Sequence, residues 1–367
     1  MPGQEEGRRA LALAQAGDLP GLQAELQRYQ EASSDDSLAN LLGGTGESLL
    51  AAAARAEKAD PLAWLLTLPG LHLEHRNTDG KTALHEAAGA GRVQAVAALL
   101  EAGAEVDSLK RGDWTPLMLA ATRPGQAECV SLLLRARADP TLTNKDGWSA
   151  LQVAVRAGDR ACVAALLAAA PDTALATSKT GRTVLHTAAL AGQAAVLELL
   201  LARPALQQLV GSQDRCGSRP LHDAARAACP DCVRLLLAVP QCNPAVRDLQ
   251  GITALGAAAE AGAVAVLPLL LSGAGPALGP ALRAAARAGQ AGVVAELLTA
   301  GSPPDVADER GRTALWLASN GQHSAVCRLL LQAGADPAGR DTAGTAVMDI
   351  ARRDSLVLLL QQYVQTK

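Results

Sequence analysis

The chain has no phenylalanine, and aromatic residues make up only 2% of its 367 residues. A sequence without aromatic platforms for bases, and with a net charge of −3 that offers phosphates no basic field, argues against direct nucleic-acid binding. Long apolar runs are missing too. The longest, such as residues 264–271, fall far short of the ~20 residues a membrane span needs, so no membrane partner is expected. Residues 1–15 carry Glu5, Glu6, Arg8 and Arg9 without an unbroken apolar stretch, so no secretory leader is expected and the location reads as cytoplasmic, or also nuclear. Signatures of catalysis are lacking: there is no Gly-x-Ser-x-Gly, His-Glu-x-x-His or phosphate-loop pattern, which points away from an enzyme with its own cofactor. Lysine is scarce. Only Lys58, Lys81, Lys110, Lys145, Lys179 and Lys367 occur, and arginine supplies the rest of the positive charge.

What is abundant is alanine and leucine, arranged in a repeated sentence. Leu109-Lys110-Arg111-Gly112-Asp113-Trp114-Thr115-Pro116-Leu117 is echoed by Asn144-Lys145-Asp146-Gly147-Trp148-Ser149-Ala150-Leu151, and again by Ser178-Lys179-Thr180-Gly181-Arg182-Thr183-Val184-Leu185-His186. Leu117, Leu151 and Leu185 are 34 residues apart, a period that signals a solenoid. Leu50 and Leu84 precede them in the same frame; Leu221, Leu255, Leu282, Leu315 and Val347 follow. In each unit a Gly or Asp turn supplies the positive φ, and Thr or Ser then opens an Ala-rich helix as its N-cap. Glycines such as Gly91, Gly158 and Gly262 close that helix, and a second helix ends in paired leucines such as Leu99-Leu100.

The runs Thr82-Ala83-Leu84-His85-Glu86-Ala87-Ala88 and Thr183-Val184-Leu185-His186-Thr187-Ala188-Ala189 resemble the ankyrin repeat family. The resemblance recurs about ten times in register. It implies an all-α ankyrin-repeat solenoid of about ten to eleven repeats, stacked helix-turn-helix units with β-turn fingers. Small alanines let neighbouring helices approach to roughly 8–10 Å, and stacking builds one continuous core. The expected organisation is a single domain over 1–367. Residues 7–30 form an N-terminal capping repeat with Glu25, Gln27 and Arg28 outward, and 31–44 a polar insertion. Repeats fill 45–272 and 281–338 around a truncated finger at 273–280, and 339–367 form the C-terminal cap. Pro268 is expected inside a second helix, bending it.

Cys129, Cys162, Cys232 and Cys327 fall at the apolar opening of second helices, so they read as core residues rather than metal ligands, and Cys229-Pro230-Asp231-Cys232 has no second ligand pair at zinc spacing. His85, His186 and His222 share one frame position, which Trp316 fills in a later unit. A histidine repeated at one scaffold position is expected to bond backbone near the next turn, not to catalyse.

Once the scaffold is subtracted, the turn tips remain, and ankyrin stacks bind proteins through tips and first-helix faces. Lys110, Lys145 and Lys179 lie in three consecutive turns. Lys145 and Lys179 take one frame position, and Lys110 is one residue earlier, with Arg111 at that position. They are expected to form a ladder with rungs roughly 10 Å apart, flanked by Trp114 and Trp148. Lys81 and Arg182 border it as further partner-binding candidates. Residues 106–118, 144–148 and 178–189 resemble, within the ankyrin repeat family, a cofactor of alanyl-tRNA synthetase. That resemblance implies binding to the catalytic domain of the synthetase and acceptance of misactivated serine on lysine side chains, by a monomer without a cofactor of its own. Lys145 matches an acceptor lysine directly; the other two acceptor positions fall on Arg111 and Leu175, which leaves Lys110 and Lys179 as nearby substitutes. The alternative is a plain ankyrin adaptor with Trp114 and Trp148 as anchors and the lysines as rim charges.

Overall fold

A computed structural model of the chain describes residues 2–32 and 46–365. Helix follows helix throughout, and among the described residues strand pairing is limited to isolated bridges such as Lys110 with Trp114 and Thr143 with Ser149. The chain divides into two compact units, Met1–Lys179 and Thr180–Lys367.

In the first unit the helices come in pairs: Pro2–Ala16 with Leu19–Ala32, Leu49–Arg55 with Asp60–Leu65, Ala83–Ala90 with Val93–Glu101, Pro116–Ala120 with Ala127–Arg135, and Ala150–Ala157 with Arg160–Ala169. First helices pack on first helices and second on second. The starting signal is the N-cap: Ser48, Thr82, Thr115 and Ser149 each accept a backbone N–H from the third residue of the helix they open. The stop is equally local. Gly91 and Gly158 adopt φ of 70° and 80° at the C-cap, a conformation that a side chain resists. The frame leucines Leu50, Leu84, Leu117 and Leu151 are buried, each stabilising the stack by about 1.5–3 kcal/mol. Ala87, Ala88, Ala120 and Ala154 have no exposed surface, because a neighbouring helix sits directly against them.

Two details differ from expectation. Glu25 does not face outward: it is buried and pairs with Arg28 at 3.4 Å, whereas Gln27 and Arg28 are exposed. Of the insertion expected over 31–44, Glu31 and Ala32 still belong to the helix Leu19–Ala32, and residues 33–44 lie outside the described residues.

The second unit repeats the grammar with Val184–Leu190 and Ala194–Leu201, Pro220–Arg226 and Pro230–Leu237, Ala254–Ala261 and Leu267–Leu271, Leu278–Ala288 and Ala291–Thr299, Ala314–Asn320 and Ser324–Gln332, and Val347–Ile350 and Asp354–Gln365. The extra residues after Leu201 form two short turns of helix, Pro204–Gln207 and Gln208–Gly211. Pro268 does not bend a helix. The chain takes a 3₁₀ turn at Val264–Val266, and the α-helix begins only at Leu267, which places Pro268 in the first turn, where a missing N–H leaves no partner wanting. From Gly273 the chain passes through the 3₁₀ turn Gly275–Ala277 straight into Leu278–Ala288, without the four-residue turn that its neighbours carry. Arg352 and Arg353 are exposed before the last helix, Asp354–Gln365, and Asp354 is exposed as its first residue.

Candidate functional site

Two tips of the first unit are closed by the side chain of their first residue. Asn77 Oδ1 accepts the N–H groups of Asp79 and Lys81 at 3.0 Å, and Asn144 Oδ1 those of Asp146 and Trp148 at 2.9 Å. This Asx arrangement closes the tip and fixes where the second residue points. In the turn between them the first residue is Lys110, which has no acceptor oxygen to offer. The backbone still closes, with Lys110 N donating to Trp114 O at 3.0 Å and Asp113 N to Lys110 O at 2.9 Å, and Asp113 takes the left-handed position (φ 62°) that Gly80 and Gly147 hold in neighbouring tips. Freed from a turn-closing role, the Lys110 ammonium lies over the Trp114 ring, 5.4 Å from its centre.

Successive tips are joined by one backbone bond each. Arg111 N donates to Asp79 O, Lys145 N to Gly112 O and Lys179 N to Asp146 O, all at 3.0 Å. These bonds put Arg111, Lys145 and Lys179 in one register along the first unit, and all three side chains are exposed. Lys110 stands one step outside that row and is half-buried. Burial against the tryptophan, and then the like charge of Lys81, lower its pKa from the ordinary 10.5, so it carries more free amine at a given pH than an ordinary lysine.

The remaining candidates have partners or positions of other kinds. Lys81 Nζ lies 3.3 Å from Glu86, which also pairs with Arg55 at 3.6 Å. Arg111 donates from Nη2 to Thr78 O at 3.3 Å, which lays its guanidinium along the preceding tip. Trp148 is half-buried beneath Arg156, 5.6 Å from the ring centre. Leu175 ends the 3₁₀ turn Pro171–Leu175, exposed and short of the tip that carries Lys179. In the second unit Arg182 reaches Asp214 at 3.4 Å and Asp223 at 3.7 Å.

Sequence reasoning missed the network around Asp223. This fully buried carboxylate meets Arg182 and, at 3.2 Å, Arg226, which in turn reaches Asp248 at 3.4 Å. Loss of water outweighs both arginines and pushes its pKa up from 3.8 to about 6. The one available sign was the i,i+3 pair Asp223-Ala224-Ala225-Arg226.

The histidines do what their frame position implies. His85 Nε2 bonds Trp114 O at 3.1 Å, His186 Nε2 bonds Ser218 O at 3.0 Å and His222 Nε2 bonds Ile252 O at 3.1 Å. Trp316 Nε1 donates to Thr345 O at 3.3 Å in the same way. Burial lowers the pKa of all three histidines, to about 4 for His85. Cys129, Cys162, Cys232 and Cys327 are buried, and Cys229 caps the helix Pro230–Leu237 with its sulfur accepting Cys232 N–H at 3.4 Å. Among the described residues no cluster of His, Cys, Asp and Glu could hold a metal ion, and no helix is long and apolar enough to cross a membrane.

Comparison with known proteins gives the scaffold its context. The family model described as ankyrin repeats (3 copies) matches residues 49–144, 117–208 and 281–366, and the model described as ankyrin repeats (many copies) matches 206–258. A stretch of 84 residues is 38% identical to an ankyrin repeat-containing protein of Treponema pallidum (strain Nichols), covering 22% of this chain and 28% of that relative. Ankyrin repeats are generally protein-binding scaffolds rather than enzymes. With family models over far more than half of its length, the chain belongs to the ankyrin repeat family.

Proposed function

We propose that this chain is a protein-binding cofactor of alanyl-tRNA synthetase that accepts misactivated serine on lysines of its first unit, as its resemblance to ankyrin repeat domain-containing protein 16 implies. In this reading each helix pair is one repeat, consistent with the ten to eleven that the period calls for. The catalytic domain of the synthetase is the partner, Trp114 flanks the contact, and Lys145, Lys179 and Lys110 are the acceptors.

The chemistry has a physical need behind it. A pocket shaped for the alanine methyl group rejects serine poorly, because serine only adds a hydroxyl. A seryl-adenylate is an activated acyl group. The free amine Nζ attacks its carbonyl carbon, the C–N bond forms, the bond to phosphate breaks with AMP taking the electron pair, and the amine proton passes to water. The product is a stable amide, so each lysine is consumed once. An ordinary lysine is unprotonated only about once in a thousand near pH 7, and the lowered pKa of Lys110 raises its free-amine fraction above that.

The observation that carries the reading is the backbone register of Arg111, Lys145 and Lys179, which holds two exposed amines in one row beside a third. The test is peptide mass spectrometry after incubation with alanyl-tRNA synthetase, ATP and serine. Seryl adducts are expected on Lys145, Lys179 and Lys110, and each is lost in the corresponding Lys→Arg variant while binding persists. Binding with unmodified lysines reduces the protein to an adaptor, and absence of binding removes the partner as well.

A further inference from the structure

The second unit lacks one rung of its tip ladder. Elsewhere in that unit the third carbonyl of each turn accepts the second N–H of the next: Thr180 O from Arg215 N at 2.9 Å, Cys216 O from Leu249 N at 3.0 Å and Arg310 O from Thr342 N at 2.9 Å. Among the described residues nothing donates to Gln250 O, and Glu309 N, the matching donor on the far side of the missing finger, has no acceptor. A Cβ placed on Gly217 or Gly311 would meet the next turn's backbone at 2.8 and 3.0 Å, whereas one on Gly251 would meet nothing within 4 Å. The cause is in the sequence: Leu255 to Leu282 spans 27 residues instead of 34, so seven are missing.

The gap is lined for an occupant. Val306, beside Gly279 at the start of the helix Leu278–Ala288, is exposed on the far side of the gap. Between the 244–247 connection and the 3₁₀ turn Gly275–Ala277 lies a cleft of about 80 Å³ bounded by Pro244, Thr253, Leu255, Leu270 and Ala277, space for roughly two or three waters or one short side chain. Arg247 lines it, and Arg283, on the helix Leu278–Ala288, donates to Val306 O at 2.9 Å.

We propose that this gap is a docking site for a tight turn of a partner protein, which enters as the absent rung. Its backbone N–H meets Gln250 O, its carbonyl meets Glu309 N, and a short apolar side chain fills the cleft between Leu255, Leu270 and Ala277. The turn opens with an acidic residue. The chain's own tips in this unit open with Asp214, Asp248, Asp308 and Asp341, and Arg247 in the cleft supplies the matching charge, Arg283 already facing Asp308. This site is independent of the lysine row and stands whether or not that row accepts acyl groups.

The probe is a disulfide-cyclised peptide copying residues 304–313, the chain's own Asp-Glu-Arg-Gly tip, added to the full chain. Binding by titration calorimetry and slowed hydrogen exchange at the Glu309 amide are expected. Inserting a seven-residue tip after Gly273, which restores the period, is expected to weaken binding by roughly tenfold or more, with Glu309 already protected. Arg247→Glu is expected to lose a similar factor and to regain it with a peptide whose opening Asp is replaced by Lys. Absence of binding at millimolar peptide overturns the proposal, as does unchanged affinity in the insertion variant, exchange at Glu309 that the peptide leaves untouched, or failure of the Lys peptide to rescue Arg247→Glu. Helical circular dichroism of both variants separates these outcomes from loss of fold.

Discussion

The two units use the same repeat, and particular cations beside their tips meet different surroundings. In the first, Arg111, Lys145 and Lys179 project from tips joined by an unbroken series of backbone bonds, and the acids of those tips lie in the turns themselves. In the second, Arg182 and Arg226 fold inward to a carboxylate with no exposed surface, and the tip series is interrupted after Gln250. The difference shows that a charge beside a turn is no measure of surface function. Its role is decided by whether a buried acid lies within reach: Glu86 captures Lys81 in the first unit as Asp223 captures the arginines in the second.

The sharpest way to break this comparison is to remove both sets of cations. Arg182→Ala with Arg226→Ala leaves Asp223 buried without a partner and is expected to cost about 3–5 kcal/mol at neutral pH by chemical denaturation. Lys145→Ala with Lys179→Ala is expected to stay within about 0.5 kcal/mol. Equal losses would mean that the inward network is no more structural than the lysine row.

The next contrast is in pH. The Asp223 carboxyl titrates at about 6 in the fold against an ordinary 3.8. The folded state therefore holds a proton that the unfolded chain releases, and this contribution to stability is complete below about pH 4 and lost as pH rises through 6, on the order of 3 kcal/mol. Asp223→Asn should remove that slope. His85 runs the other way. Its pKa falls from 6.5 to about 4 in the fold, so its contribution is present above pH 6.5 and lost as pH drops through 4, by a similar amount. His85→Gln should flatten stability in that window, whatever else it costs. Denaturation midpoints between pH 3.5 and 7.5 for the two variants test both signs.

The smallest expected effect concerns the Lys110 tip. Asp113 holds a left-handed conformation that glycine adopts freely, so Asp113→Gly is expected to stabilise the first unit by about 0.5 kcal/mol. A loss instead would show that the Asp113 side chain supports the tip.

Much of this architecture could be read before any coordinates. The 34-residue spacing of Leu117, Leu151 and Leu185 located the core, and a Thr or Ser marked the start of first helices such as those after Thr82, Thr115, Ser149 and Thr183, though Arg219, Ala277 and Ala346 stand there in others, because N-caps and apolar periodicity are local signals. The 27-residue interval from Leu255 to Leu282 stands out against the 34-residue period. Glu25 and Pro268 were misplaced for different reasons. A carboxylate's burial depends on a neighbour such as Arg28 and on the face its helix presents, and a proline's effect depends on where its helix begins, which shifted to Leu267.

Local patterning, then, determined the repeat, its caps and the scarcity of amines in this protein, since those follow from spacing and residue type along a single strand of sequence. Tertiary structure alone decided which cations remain outside. It set Lys110 on Trp114, drew Lys81 and Arg182 to buried acids, and left Gln250 O and Glu309 N without partners. Arg182 finds Asp214 and Asp223 at 3.4 and 3.7 Å in the next repeat, and a tip's backbone groups are paired only where a neighbouring tip stands beside them, distances that no reading of one turn at a time contains.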